Sequence, residues 1–293
     1  MARDIGHDKC DIIAMVNSVE ILPITNSPEL PPEIIAAAKQ VNEDNQGSNP
    51  NYFDGHKVGA ESIIIEGQKA RLLISPNRSY SQVCVSRDLD YNPKASPMAE
   101  MYDVMKTSDL IVLTKKKPMH VNPFSQGTFL LVNPDGNKTP VEDLPVVITI
   151  RGEGVDKGQG LRHHLAGYGD HAKGFQDFEF NHYDGIRSIG QELQEEGNIL
   201  PKDLVGAPKP FALVQDPFEL LLNYLAITRL TIAEVTERMK AAKDWREHEN
   251  FEFIPLKELQ AYAAENSFYS HSRPIVTHQV EAMMERFDRM RGK

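Results

Sequence analysis

Three glutamates, Glu192, Glu195 and Glu196, fall at i, i+3 and i+4 in a stretch with helical periodicity. Side chains three and four positions apart are neighbours on a helix surface, so the spacing predicts three carboxylates on a common face. On an exposed helix, like charges at that spacing repel by about 0.2–0.5 kcal/mol per pair. A hard divalent cation with oxygen ligands turns the repulsion into binding energy. The plainer reading of the same spacing is a solvated acidic face, because Glu is a good helix former.

The elements that must position these carboxylates can be read on either side. Ile186, Ile189 and Leu193 form an apolar stripe at i, i+3 and i+7, and Gly197 is placed to end the helix in a left-handed conformation. Upstream lies the glycine-rich run Gly167 to Gly174, whose Asp170 and His171 are candidates for meeting a diphosphate. His163, His164 and His171 flank that loop and His182 precedes the helix, but none has zinc-site spacing, so each is read as an ordinary hydrogen-bonded or surface histidine. The Gly152/Gly154 and Gly158/Gly160 pairs lack the Lys-Ser/Thr of a phosphate-binding P-loop, and no G-x-S-x-G marks a serine hydrolase. Lys115 to Lys117 is too short for a nucleic-acid patch.

The run Gln191 to Ile199 resembles the second half of the Nudix hydrolase signature, G-x5-E-x7-R-E-U-x-E-E-x-G-U, where U is a bulky aliphatic. Glu192 matches the Glu of the Arg-Glu pair, Leu193 the aliphatic position, and Glu195 and Glu196 the Glu-Glu pair. Gln191 stands where the family has arginine, and one residue is read as absent between Glu196 and Gly197. Gly167-Tyr-Gly169 is similar to the glycines that open the signature, while counting back from Gln191 puts the family's leading Glu on Tyr183. A longer loop would let Asp177, Glu179 or Asp184 take that place.

The resemblance implies Mg2+ or Mn2+ at Glu192, Glu195 and Glu196, with the substrate lying against Gly167, Gly169, Asp170 and His171. It implies a general base from a later segment, Glu247 or Glu249, and hydrolysis of a nucleoside diphosphate linked to another moiety, of the ADP-ribose or nucleotide-sugar type. The implied fold is α/β: a Nudix-like α/β/α sandwich with a mixed sheet over residues 106–293, preceded by an N-terminal α+β extension over 1–105. The alternative is a catalytically impaired Nudix-fold domain that binds a nucleotide-like ligand as a sensor or interaction module; hydrolase is the preferred reading of the two.

The whole chain has the composition of an ordinary soluble globular protein. At 293 residues it has room for one large or two modest domains, and 40% hydrophobic with 25% charged residues supports a real core. A net charge of −10 argues against a nucleic-acid or anionic-membrane binder, but not against a small phosphorylated substrate met through a cation. Cys10 and Cys84 form no motif, no signal-peptide h-region opens the chain, and no apolar run approaches a membrane span, which together predict a cytoplasmic protein.

Strands are expected at 12–16, 19–22, 62–66, 70–74, 82–86, 109–114, 128–132, 146–150 and 210–214. Helices are expected at 32–41, 98–105, 233–243 and 277–290, with a polar loop over 42–54 and a further apolar segment over 219–228. Glu247 to Leu259 is similar to a late Nudix strand leading into a helix. The default role of the first 105 residues is an added sheet packed on the second part or on another subunit of a homodimer.

Overall fold

A computed structural model of the chain describes residues 10–24, 29–48, 54–90, 102–107, 110–115, 123–136, 138–152, 158–170, 174–175, 183–215 and 219–292. The first part supplies β1 (Asp11–Met15), β2 (Ser18–Pro23), α1 (Pro32–Ser48), β3 (His56–Glu66), β4 (Lys69–Ser79), α2 (Tyr80–Asp90), β5 (Tyr102–Thr107) and β6 (Leu110–Lys115). The middle supplies β7 (Phe124–Val132), β8 (Pro145–Arg151), β9 (Arg162–His163), β10 (Leu165–Tyr168) and α3 (Gly185–Gly197). After these come β11 (Lys209–Gln215), β12 (Leu220–Thr228), α4 (Ile232–Lys240), β13 (His248–Pro255), α5 (Leu259–Glu265), α6 (Arg273–His278) and α7 (Val280–Met290).

The large sheet runs β1–β11–β12–β7–β8–β13, antiparallel except for the β12/β7 pair, which is parallel from Leu220/Phe124 to Thr228/Val132. Every residue of β7 and β12 is buried, as expected where helices or a second sheet cover both faces of a parallel pair. Along β7 the side chains alternate: Leu130 and Val132 meet Leu193 of α3 and Val235 and Met239 of α4. Phe129 and Leu131 face the other way, onto Leu259, Ile275, Met283 and Phe287 of α5, α6 and α7. The expected α/β/α sandwich with a mixed sheet is therefore present.

β7 and β8 pair at Leu131/Val146 and then diverge. β10 takes up β7 along Ser125–Thr128, and β9 takes up β8 at Thr149 and Ile150. The wedge so filled carries Ala166 and Gly167 under helix α3.

The N-terminal α+β extension is a five-stranded sheet, β2–β4–β3–β6–β5, with α1 and α2 packed together through Ile34, Ala38, Val83 and Val85. Apart from that helix cluster, its sheet shares a core with the second part. Ile21, Ile63, Leu72 and Leu113 share one cluster with Ile189, Leu213, Leu222 and Tyr224 of the second part. Strands also cross residue 105: β1 lies beside β11 in the large sheet, and β6 completes the smaller one.

Several local expectations are corrected. Residues 82–86 alternate like a strand but form helix α2. Ser79 Oγ accepts from the Gln82 N–H at 3.2 Å, and Gln82 Oε1 accepts from the Ser79 N–H at 3.0 Å, a reciprocal cap that starts the helix. Tyr102–Thr107 is strand β5, not helix, because it finds a partner in β6; residues 98–101 lie outside the described set. Helix α1 continues through the polar residues expected as a loop and ends at Ser48. The last helix is two, α6 and α7, parted at Gln279, which is not helical (φ −123°).

Candidate active site

Helix α3 begins on Asp184, whose carboxylate accepts from the Arg187 N–H at 2.9 Å. Asp184, expected as a stand-in for the leading glutamate, is thus the helix N-cap. The buried side of α3 is Ser188, Ile189, Glu192, Leu193 and Glu196, whereas Ile186 of the expected apolar stripe is 42% exposed. The inward face is therefore rotated toward the acids, and two carboxylates go into the protein.

The trio does not stay together. Glu192 and Glu196, one turn apart, are both buried, while Glu195 turns aside and pairs with Lys243 at 3.3 Å. Glu192 reaches the sheet across Gly167: a β-carbon there would lie 2.8 Å from its carboxylate. Glu196 Oε2 accepts from the Ala166 N–H at 3.0 Å. The wedge strand β10 thus meets both acids, one through the missing side chain of a glycine and one through its backbone.

The helix end also revises the signature's register. Gly197 is the last helical residue, and the left-handed conformation belongs to Asn198 (φ 52°), whose N–H bonds back to Gln194. Asn tolerates that region better than other non-glycine residues. Asn198 thereby occupies the signature's glycine position and Ile199 its final aliphatic, so Gln191 to Ile199 runs in register with no residue absent.

Burial first, and the Glu192 and Glu247 carboxylates next, push the Glu196 carboxyl well above the usual carboxylate range, against the Ala166 N–H and Arg151, which pull it down. His248 stands on the other side: its Nε2 is 4.0 Å from Glu196 Oε2, and its side chain is 6% exposed. Neither ring nitrogen has a hydrogen-bond partner among the described residues. Burial, with Arg151 adding, lowers this imidazole to about 4, so it is neutral near pH 7.

Of the two late glutamates, Glu247 closes the turn before β13 and Glu249 is its second residue; both are exposed, and strand alternation turns His248 inward between them. His248 was not among the histidines singled out in the sequence. The available signal was its place between two charged residues at the start of a strand.

The remaining expected site residues go elsewhere. Asp170 pairs with Lys57 of β3 at 3.0 Å, and Gly169 lies where a β-carbon would meet Val58 at 2.6 Å and Phe124 at 2.8 Å. Both stand at the seam between the two sheets. His171, His182, Asp177 and Glu179 lie outside the described residues.

His163 and His164 are buried and stacked on each other on the sheet face opposite α3. His164 Nδ1 is 2.8 Å from Ser272 Oγ, and its ring stacks on Phe129. Burial, and then His271, lower His164 to about 3.

Among the described residues no three His, Cys, Asp and Glu side chains form a group that could hold a metal ion. The site as described offers two buried carboxylates, one of them pushed toward its neutral form, and a buried imidazole with no hydrogen-bond partner on either nitrogen among the described residues.

No protein-family model matches the chain, and neither does any curated protein. Among solved structures it is similar to a MutT protein from Methanosarcina mazei Go1, with 14% identity over 59% of this chain and 98% of that one at a TM-score of 0.31. It is also similar to a NUDIX hydrolase from Alicyclobacillus acidocaldarius, with 11% identity over 56% of this chain and 96% of that one at a TM-score of 0.34. Among the described residues no helix is long and apolar enough to cross a membrane.

Proposed function

We propose that this chain is a metal-dependent hydrolase of the Nudix type, acting on a nucleoside diphosphate linked to another moiety such as ADP-ribose or a nucleotide sugar. The observation that carries the proposal is the inward pair Glu192 and Glu196, held by Gly167 and the Ala166 N–H. Bringing two acids together inside the protein is unfavourable unless something offsets their charge. Mg2+ or Mn2+ bound by them would offset charge on phosphoryl oxygens and acidify an attacking water.

Hydrolysis forms a bond from water oxygen to phosphorus and breaks the bond from phosphorus to the bridging oxygen. The water proton needs an acceptor. Glu247 is the proposed base, because it lies close enough to act on the Glu196 carboxyl and its position at the surface leaves it open to solvent. Glu249, two residues on and likewise exposed, is the second choice. The described contacts of Gly169 and Asp170 support a part in joining the sheets, so the substrate is assigned to the Gly167 side of the wedge. We assign residues 1–105 a packing role, on the strength of the shared core.

The test is release of nucleoside monophosphate from a panel of ADP-ribose and nucleotide sugars with added Mn2+. Turnover abolished by Glu192→Gln with Glu196→Gln supports the proposal; turnover unchanged by the pair rejects it. A second reading, a Nudix-fold ligand-binding module without turnover, is favoured by Gln191 in the arginine position and by the engagement of Glu195 with Lys243. Saturable nucleotide binding without product would select it.

A further inference from the structure

We propose that Gln126 and Tyr183 are positioning residues of the candidate site: their hydrogen bonds to the first turn of α3 set the rotation of that helix about its axis, and with it the inward aim of Glu192 and Glu196. The inference rests on the acid-pair site described above, and it concerns how that pair is presented rather than what it binds.

The seating of α3 is not the one its apolar residues would choose alone. Ile186, Ile189 and Leu193 form the apolar stripe, and a helix seated on the centre of that stripe would bury all three. Instead Ile186 is 42% exposed, and the buried side chains are Ser188, Ile189, Glu192, Leu193 and Glu196. At about 100° per residue, the centre of that face lies roughly 60° round the helix from the centre of the stripe. Burial of aliphatic groups is non-directional, so by itself it does not hold a helix off its stripe. Hydrogen bonds have direction.

The bonds in question meet at one carboxamide. Gln126 of β7, 1% exposed, donates from Nε2 to the Gly185 carbonyl at 3.2 Å and to Tyr224 Oη at 3.1 Å. Its Oε1 accepts from Tyr183 Oη at 3.3 Å. With its proton so committed, Tyr183 Oη accepts from Ser188 Oγ at 2.9 Å. Gly185 and Ser188 both lie in the first turn of α3, and Ser188 stands one turn before Glu192 on the same side. Turning Ile186 inward would break these bonds inside the protein, where the separated groups do not meet water.

The frame around the bonds is tight. A β-carbon at Gly185 would lie 2.5 Å from Tyr224 Oη, 2.9 Å from Ile21 Cδ1 of β2 and 3.1 Å from Gln126 Nε2, so only glycine lets the helix start here. Tyr183 is buried edge-on to Phe124 and Phe175, and its ring fills the place a side chain would take at Gly174. The Asp184 N–H donates to the Gly174 carbonyl at 2.9 Å. Through Ile21 the N-terminal sheet also reaches this frame.

The test uses the full-length protein with isotope-labelled isoleucine methyls and a soluble gadolinium chelate, which relaxes each methyl according to its exposure. Ile186→Val and Ile189→Val assign the two signals. In the wild type, Ile186 should be strongly relaxed and Ile189 protected. Gln126→Met with Tyr183→Phe replaces polar partners by apolar groups of like shape, a change that can leave stability nearly unaltered. A net hydrogen bond shifts an equilibrium about fivefold, so the relaxation enhancement of Ile186 should fall by about twofold or more in the double variant. Where a substrate is turned over, kcat should fall with KM changed by less than about twofold. The methyl readout needs no turnover, so failure of the hydrolase reading does not touch it.

An unchanged Ile186 enhancement in a folded double variant overturns the positioning role and leaves the acid pair standing. A wild-type Ile186 as protected as Ile189 overturns the inward acid pair as well. If the double variant does not fold, Tyr183→Phe and Ser188→Ala decide the matter in the same way, since each removes the bond between those two residues.

Discussion

Glu196 and His164 are two buried groups whose surroundings make a stability prediction. Glu196 is held in a site that disfavours its charge, chiefly by burial and then by Glu192. Glu196→Gln keeps an oxygen for the Ala166 N–H while removing the charge. With metal chelated at pH 8, the variant should therefore unfold at a denaturant midpoint no lower than the wild type, with a gain of up to roughly 1–3 kcal/mol. The same variant should lose the rise in midpoint that Mn2+ gives the wild type. A clear loss of stability in the chelated protein would mean that the Glu196 carboxylate is stabilising without metal.

His164 sets an acid limit. Its folded value is about 3 against an ordinary 6.5, so the unfolded chain binds more protons between those values, and stability falls as pH drops from about 6.5 toward 3. Its ring stacks on His163 and Phe129, its Nδ1 meets Ser272, and His271, paired with Glu219, acts on it electrostatically. Urea midpoints measured from pH 7 to pH 4.5 should decline, and His164→Gln should flatten the slope; a wild-type midpoint independent of pH would refute the assignment. At this scale the sequence shows which residues are acids and histidines. It does not show that Glu195 is drawn to Lys243 while its neighbours go inward, because Lys243 is 48 residues away along the chain.

Helix α3 and strand β10 act as a pair, and each has one position at which the pairing can be tested. Asn198 holds the left-handed turn at the helix end. Asn198→Gly should be neutral or slightly stabilising, and Asn198→Val should cost about 1–2 kcal/mol, both read by thermal or urea unfolding. If valine is harmless, the turn is not left-handed.

On the opposite face, a β-carbon at Gly127 would sit 2.0 Å from His164 Nε2. Gly127→Ala must displace a buried imidazole stacked between Phe129 and His163, so a drop of more than about 1 kcal/mol is expected. Local pattern located most elements, including α3 and the central strand β7, while β12 was expected only as an apolar segment because a strand buried on both faces shows no alternation. It failed at 82–86, where Val83 and Val85 obey strand alternation but pack against α1; the Ser79-x-x-Gln82 cap was the signal to weigh against it.

Across the whole molecule, the two sheets stabilise each other. Deleting residues 1–105 removes β1 from the edge of the large sheet, strips β2 to β4 from β6, and exposes Leu213, Leu222 and Tyr224, which share the inter-sheet core. The truncated chain should be aggregated or lack a cooperative transition, as judged by size-exclusion chromatography and circular dichroism. A monomeric, cooperatively folding fragment would show that the second part stands alone.

The sequence by itself determined the acidic helix and most of the strands, because alternation and helical spacing depend on residues close in the chain; the sandwich class followed from the resemblance of Gln191 to Ile199 to the Nudix signature. Tertiary structure alone decided which two of three carboxylates turn inward and that His248 meets Glu196. It also committed Gly169 and Asp170 to the seam with Val58 and Lys57. Those outcomes depend on which strands lie side by side, and that is settled by the burial of side chains contributed from distant parts of the chain.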